Sequence, residues 1–174
     1  MRSAFRRLAA LIPALVILGC FSAEPETVQF FEGQFQALKP ASWSMQSNLN
    51  DVADLQMGNR FKDVYCTVLT EAKVDFADDL SVETFSDLTR KMLTESLSDL
   101  TETGPKMLEY SGQPAVLYEL VGSIDNTRIK YWHVSIESPT HFHQVVLWSL
   151  PSKFDANKAD FEAVLHSIRA VNGG

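Results

Sequence analysis

Two neighbouring stretches near the C-terminus constrain this chain more than anything else in it. In Arg128–Glu137, Trp132, Val134 and Ile136 alternate with Ile129 and Tyr131. After the turn Ser138-Pro139-Thr140, the stretch Phe142–Leu150 sets Val146 and Trp148 against Val145 and Leu147. Successive strand residues point to opposite faces, so this hairpin is apolar on both faces and needs cover on both. Two amphipathic segments can supply the cover. Val82, Phe85, Leu88, Met92, Leu93, Leu97 and Leu100 recur at spacings of three and four, with Ser81 as N-cap and Gly104-Pro105 closing the region. Glu83, Asp87, Arg90, Lys91, Glu95 and Asp99 fall on its opposite, solvated face. A second helix is expected from about Ala156 to Arg169, capped by Asp155, with Phe161, Val164, Leu165 and Ile168 inward. The expected architecture is α+β: a mostly antiparallel sheet flanked by helices on both faces, a three-layer α/β/α sandwich.

Other strands are read upstream. Val28–Leu38 carries Phe30, Phe31 and Phe35 around Gly33, Val52–Met57 ends at Gly58-Asn59, and Asp63–Glu71 is rich in β-formers. Met107–Tyr110 and Ala115–Val121 flank the turn Ser111-Gly112, and Asp125-Asn126 marks the next hairpin.

The N-terminus carries an address. Met1–Arg7 holds three arginines and no acid, and the apolar run Leu8–Leu18 follows. Such a run is too short for a bilayer that needs about 20 residues, and it fits a secretory signal. Ile17-Leu18-Gly19-Cys20 resembles the lipobox of bacterial lipoprotein precursors, which implies cleavage before Cys20 and a lipid on its thiol. The expected organisation is residues 1–19 as signal peptide, 20–27 as a lipidated tether and 28–174 as one folded domain. Without residues 1–19, which hold Arg2, Arg6 and Arg7, 12 bases face 22 acids, a net charge of −10. That balance excludes a general nucleic-acid binder, and it predicts membrane contact through the lipid rather than through a basic patch. With Phe21 rather than aspartate after Cys20, the sorting rule of enterobacterial lipoproteins favours the outer membrane, facing the periplasm.

The order of features resembles a known family. Pro40 shortly before Trp43-Ser44, a long helix after two strands, Ser111-Gly112-Gln113-Pro114-Ala115 opening a strand, the Tyr131-Trp132 to Trp148-Ser149 hairpin and a closing helix with Leu165-His166-Ser167-Ile168-Arg169 are similar to the PsbP-like superfamily. Within it the likeness is to bacterial lipoproteins of the DcrB type. The resemblance spans about residues 35–171 and implies an antiparallel sheet between helices in a protein that acts as an assembly factor or binding module. It implies no catalytic residues.

The chemistry-bearing residues are sparse. His141 and His143 form a His-x-His pair on a strand, and His133 on the preceding strand is expected to share their face. These are weak candidates for a zinc or copper site, against hairpin packing as the plainer reading. Cys66 lies mid-strand and reads as a buried, inert thiol. Asp78-Asp79 read as solvated or capping groups, and the sequence holds no Gly-x-Ser-x-Gly, His-Glu-x-x-His or phosphate-loop motif. No cofactor is expected. Trp43, Trp132, Trp148 and the 11 phenylalanines are mostly core, with an apolar groove as the remaining lead. The expected function is a non-enzymatic, membrane-anchored envelope lipoprotein that binds an envelope protein or assists assembly. The alternative is a small-ligand or lipid-binding module using an apolar groove.

Overall fold

A computed structural model describes residues 24–76 and 80–171. Strands β1 (Glu26–Phe30) and β2 (Phe35–Lys39) form a hairpin, followed by β3 (Ser44–Met45), β4 (Leu55–Asn59) and β5 (Val64–Ala72). A short turn of 3-10 helix, Lys73–Asp75, precedes α1 (Val82–Thr94). Then come β6 (Ser98–Tyr110), β7 (Gln113–Ile124), β8 (Thr127–Glu137), β9 (His141–Ser149), α2 (Pro151–Ser167) and β10 (Arg169–Ala170). Seven strands make one sheet in the order β3-β4-β5-β9-β8-β7-β6, and β1-β2-β10 make a second. Every strand pair is antiparallel.

The two-faced hairpin is β8–β9, in the interior of the larger sheet, and both faces are covered. On one face Trp132, Val134, Ile136, Val145 and Leu147 join Phe154, Phe161, Val164 and Leu165 of α2 and Phe30, Phe35 and Ala37 of the small sheet. Trp132 meets Phe154 at 5.6 Å and Phe161 at 5.8 Å between ring centroids, the edge and tilted contacts that aromatic rings favour. On the other face Val82 and Phe85 of α1 pack on Val116, Tyr118, Leu120, Tyr131, Phe142 and Val146, with Phe85 stacked on Phe142 at 4.7 Å. The α+β, mostly antiparallel architecture with two helices therefore holds. The clean three-layer sandwich does not. One cover is a mixed layer of α2 and the small sheet, and α1 covers only the β7, β8 and β9 part of its face.

Several boundaries depart from expectation for local reasons. Val28–Leu38 is a hairpin, with Phe31, Glu32 and Gly33 all at positive φ between β1 and β2. Because β1 begins at Glu26, the strand takes up the last residues of the expected tether. Helix α1 stops at Thr94, and Leu97 lies against Gly122 while Leu100 already belongs to β6. Gly104-Pro105, read as a helix stop, sits inside β6, where a register shift between Thr103 and Lys106 absorbs it. Proline donates no hydrogen bond, and β6 is an edge strand, so nothing is lost there. Helix α2 starts at Pro151 rather than after Asp155, since a proline's fixed φ and missing N–H suit a first helical turn. Arg90, expected on the solvated face, is turned inward. It binds Asp87 and Glu102, each at 2.6 Å, and lies 4.8 Å over the Tyr118 ring.

Candidate functional site

The partial cover left by α1 opens a groove of about 490 Å³. Its floor is the same face of β5, β9 and β8, with Thr67 and Leu69, then Gln144, Val146 and Trp148, then Ile129 and Tyr131. One wall is α1, presenting Thr89, Met92 and Leu93, and the other is the loop bearing Leu49, Asn50 and Val52. Ile124 closes one end. None of the lining side chains is charged, in a chain of which 21% is charged residues.

The register explains why this face collects apolar residues at its rim. Val82, Phe85 and Ser86 of α1 are buried, but Leu88 is 50% and Met92 72% exposed. The stripe read from sequence as one core face is thus buried in its first turn, while beyond it Leu88 and Met92 are open and Leu93 is half-buried against the core. Val52 across the groove is 74% exposed. Burying a Met or Val side chain is worth about 1.5–3 kcal/mol. Met92 and Val52 thus leave two such side chains open at the rim of an uncharged trough.

Beneath the groove lies the one imidazole on this face. His133 is fully buried, with Nε2 at 3.1 Å from Thr89 Oγ1 and 3.2 Å from the Gln144 amide nitrogen. Burial, with the Arg90 charge adding to it, pulls its pKa down to about 3, so the ring is neutral and accepts from the amide. Thr89 and Gln144 both line the groove, so His133 braces two polar groups of its wall and floor.

The expected grouping of three histidines is not what forms. β8 and β9 pair Ile136 with His143 and His133 with Val146 across a two-residue turn. Odd positions therefore face even ones, and His133 points away from His141 and His143. His143 is buried against Phe35 at 4.5 Å and Phe30 at 6.2 Å, its Nδ1 held 3.1 Å from Thr70 Oγ1. His141 sits 5.0 Å from Phe35 and 5.2 Å from Phe31. Both rings are packing elements between the sheets, and burial lowers both pKa values, that of His143 to about 3. Among the described residues no three His, Cys, Asp or Glu side chains are placed to hold a metal ion together. Cys66 is fully buried in the α2-side core, and burial pushes its thiol pKa up. Trp43 and Trp132 are core, while Trp148 lines the groove. Cys20 and the pair Asp78-Asp79 lie outside the described residues.

The groove itself was not assignable from sequence. Its signals were Leu49 and Val52 in a polar loop and an apolar stripe longer than one helix can bury.

No protein-family description and no curated protein matches the sequence. Solved structures do match in fold. The solution structure of cyanobacterial PsbP (CyanoP) from Synechocystis sp. PCC 6803 aligns over 91% of this chain and 99% of its own, with TM-score 0.64 and 12% identity. LpqN, involved in cell envelope biogenesis of Mycobacterium tuberculosis, aligns over 84% and 90%, with TM-score 0.63 and 9% identity. The Saccharomyces cerevisiae Ran-binding protein Mog1p aligns over 86% and 97%, with TM-score 0.55 and 13% identity. The fold is PsbP-like.

Proposed function

We propose that this chain is a non-enzymatic binding protein of the bacterial envelope, anchored by a lipid on Cys20, and that its α1-side groove receives apolar side chains of an envelope protein. The groove carries the reading: an uncharged trough with Val52 and Met92 left open at its rim, on one flank of a well-packed sheet. The lipobox residues Ile17-Leu18-Gly19-Cys20 support the anchor, and with the fold they make a DcrB-type lipoprotein the favoured relative. Among the described residues no helix is long and apolar enough to cross a membrane. A fold shared with a Ran-binding protein and with a protein of cell envelope biogenesis agrees with a binding role.

The test is purification from crosslinked envelope of the wild type and of Met92→Glu. The expected result is a partner recovered reproducibly with the wild type and lost with the variant. Equal recovery, or none, contradicts the reading. Cys20→Ala should release the protein from the membrane fraction, and a variant still bound there would rule out the anchor.

One observation favours a second reading. The groove volume lies within the range of about 300–1,000 Å³ seen for small-molecule sites, with Thr89 and Gln144 as polar groups in an apolar lining. Native mass spectrometry of protein taken from its own membrane separates the two. A bound neutral compound supports the ligand module, and a bare chain supports the protein-docking groove.

A further inference from the structure

The hairpin between β4 and β5 holds a phenylalanine almost wholly in solvent, and its turn is built to keep it there. Asn59 Oδ1 accepts from the backbone N–H of Phe61 at 3.0 Å and of Lys62 at 3.1 Å, while Asn59 Nδ2 donates to the Ser42 carbonyl at 2.5 Å. Asp63 closes the turn at φ 50°. Phe61 is 98% exposed at the tip, and Met45 on the adjoining edge strand is 51% exposed, both lining one shallow concavity.

Two cations flank that phenylalanine. The Arg60 guanidinium donates only to neutral amide oxygens, of Gln46 and Asn48, and Lys62 Nζ only to the Ser42 hydroxyl. Among the described residues neither has a carboxylate within ion-pair distance. In a chain with a surplus of acids, the tip has unpaired positive charge on both sides of an exposed ring.

The tip is also where the tether leaves. β1 begins at Glu26 opposite Lys39, and its other end, Phe30 opposite Phe35, lies beside His141. In the large sheet His141 pairs with Ala72 at one end of β5, and Val64, next to the hairpin, pairs with Ser149 at the other. Glu26 and the Arg60-Phe61-Lys62 tip therefore share one pole, knitted by Lys39 Nζ to the Trp43 carbonyl at 3.2 Å and by Asn59 to Ser42. Glu26 lies six positions beyond Cys20, a reach of about 20 Å at full extension. A lipid on Cys20 thus holds this pole against the bilayer.

We propose that the Arg60-Phe61-Lys62 tip, with Met45 beside it, is a contact surface for an anionic bilayer, Phe61 entering the headgroup layer and the two cations meeting lipid phosphates. The proposal rests on the Cys20 anchor. It replaces the expectation, drawn from net charge, that no basic patch takes part, because the charge that counts is local.

The experiment uses the lipidated protein in vesicles, with a polarity-sensitive dye on Phe61→Cys or, as a control, on Val74→Cys. Val74 is 89% exposed at the opposite pole, and Cys66 is buried and stays unlabelled. In vesicles of phosphatidylethanolamine with phosphatidylglycerol, the dye at 61 should shift to the blue and the dye at 74 should not. On phosphatidylcholine alone the shift at 61 should shrink. Protein that floats with the vesicles while the dye at 61 reports water overturns the tip and leaves the anchor standing. Protein that does not float overturns both, and equal shifts on the two lipid mixtures overturn the role of the cations.

Discussion

Acidifying the protein to about pH 5.5 tests the account of the buried histidines, since the unfolded chain protonates each ring near pH 6.5. Burial holds His133 and His143 neutral down to about 3. The unfolded state therefore binds protons that the native state refuses. Stability is whole above the ordinary histidine pKa, starts to fall as pH drops through about 6.5, and goes on falling until the native rings themselves take protons. One unit of pKa difference corresponds to about 1.4 kcal/mol. Between about pH 7.5 and 5.5 each ring thus removes about 1.4 kcal/mol, and the two together about 2.7 kcal/mol. His141, also lowered by burial, adds in the same direction. Carboxylates titrate mostly below this window. The assay is urea unfolding followed by tryptophan fluorescence at both pH values. His143→Asn keeps a partner for Thr70, and His133→Gln keeps a polar atom near Thr89 and Gln144. Each variant should lose about half of the pH-dependent loss shared by the two rings, whatever its own stability at neutral pH. A wild type equally stable at both values, or variants with an unchanged pH dependence, would refute the reasoning.

Phe161→Ala removes a fully buried ring that meets Trp43, Trp132 and Phe154, and should cost about 3–5 kcal/mol in urea unfolding. Gly58→Ala places a Cβ 2.5 Å from the Val64 carbonyl and 2.8 Å from the Tyr65 ring, so a loss of about 1–3 kcal/mol is expected, seen as a lower unfolding midpoint at unchanged slope. The Cys66 thiol should stay unreactive toward a thiol reagent in the native protein and react fully in urea, and fast native labelling would contradict its burial. Met92→Glu, at a site 72% exposed, should change stability by no more than about 0.5 kcal/mol, so any loss of binding it causes is not a folding defect.

The parts of the fold legible in sequence were those set by period. The alternation in β8 and β9 required two covers, and two covers are present. Ser81 was readable as a cap because its side chain has one local task, accepting from the Thr84 N–H. What was not legible depended on tertiary choices. The apolar stripe of α1 looks like one buried face, but the helix's placement over β7, β8 and β9 leaves Leu88 and Met92 outside. Faces of the histidines turned on hairpin parity: a turn of Pro139-Thr140 sets odd residues opposite even ones, and one residue more or less would have brought His133 round to His143. Pro105 was read as a stop because it breaks helices and interior strands, and it sits instead on a strand edge.

The groove as a protein-docking surface is the centre of this account, and site-specific photocrosslinking in the intact envelope tests it most directly. A photoreactive residue at Met92 sits on the groove wall, and one at Met107, 54% exposed on the β6 edge, serves as the comparison. A discrete crosslinked protein is expected from position 92 and none from position 107. No adduct from position 92, or the same adducts from both positions, would contradict it.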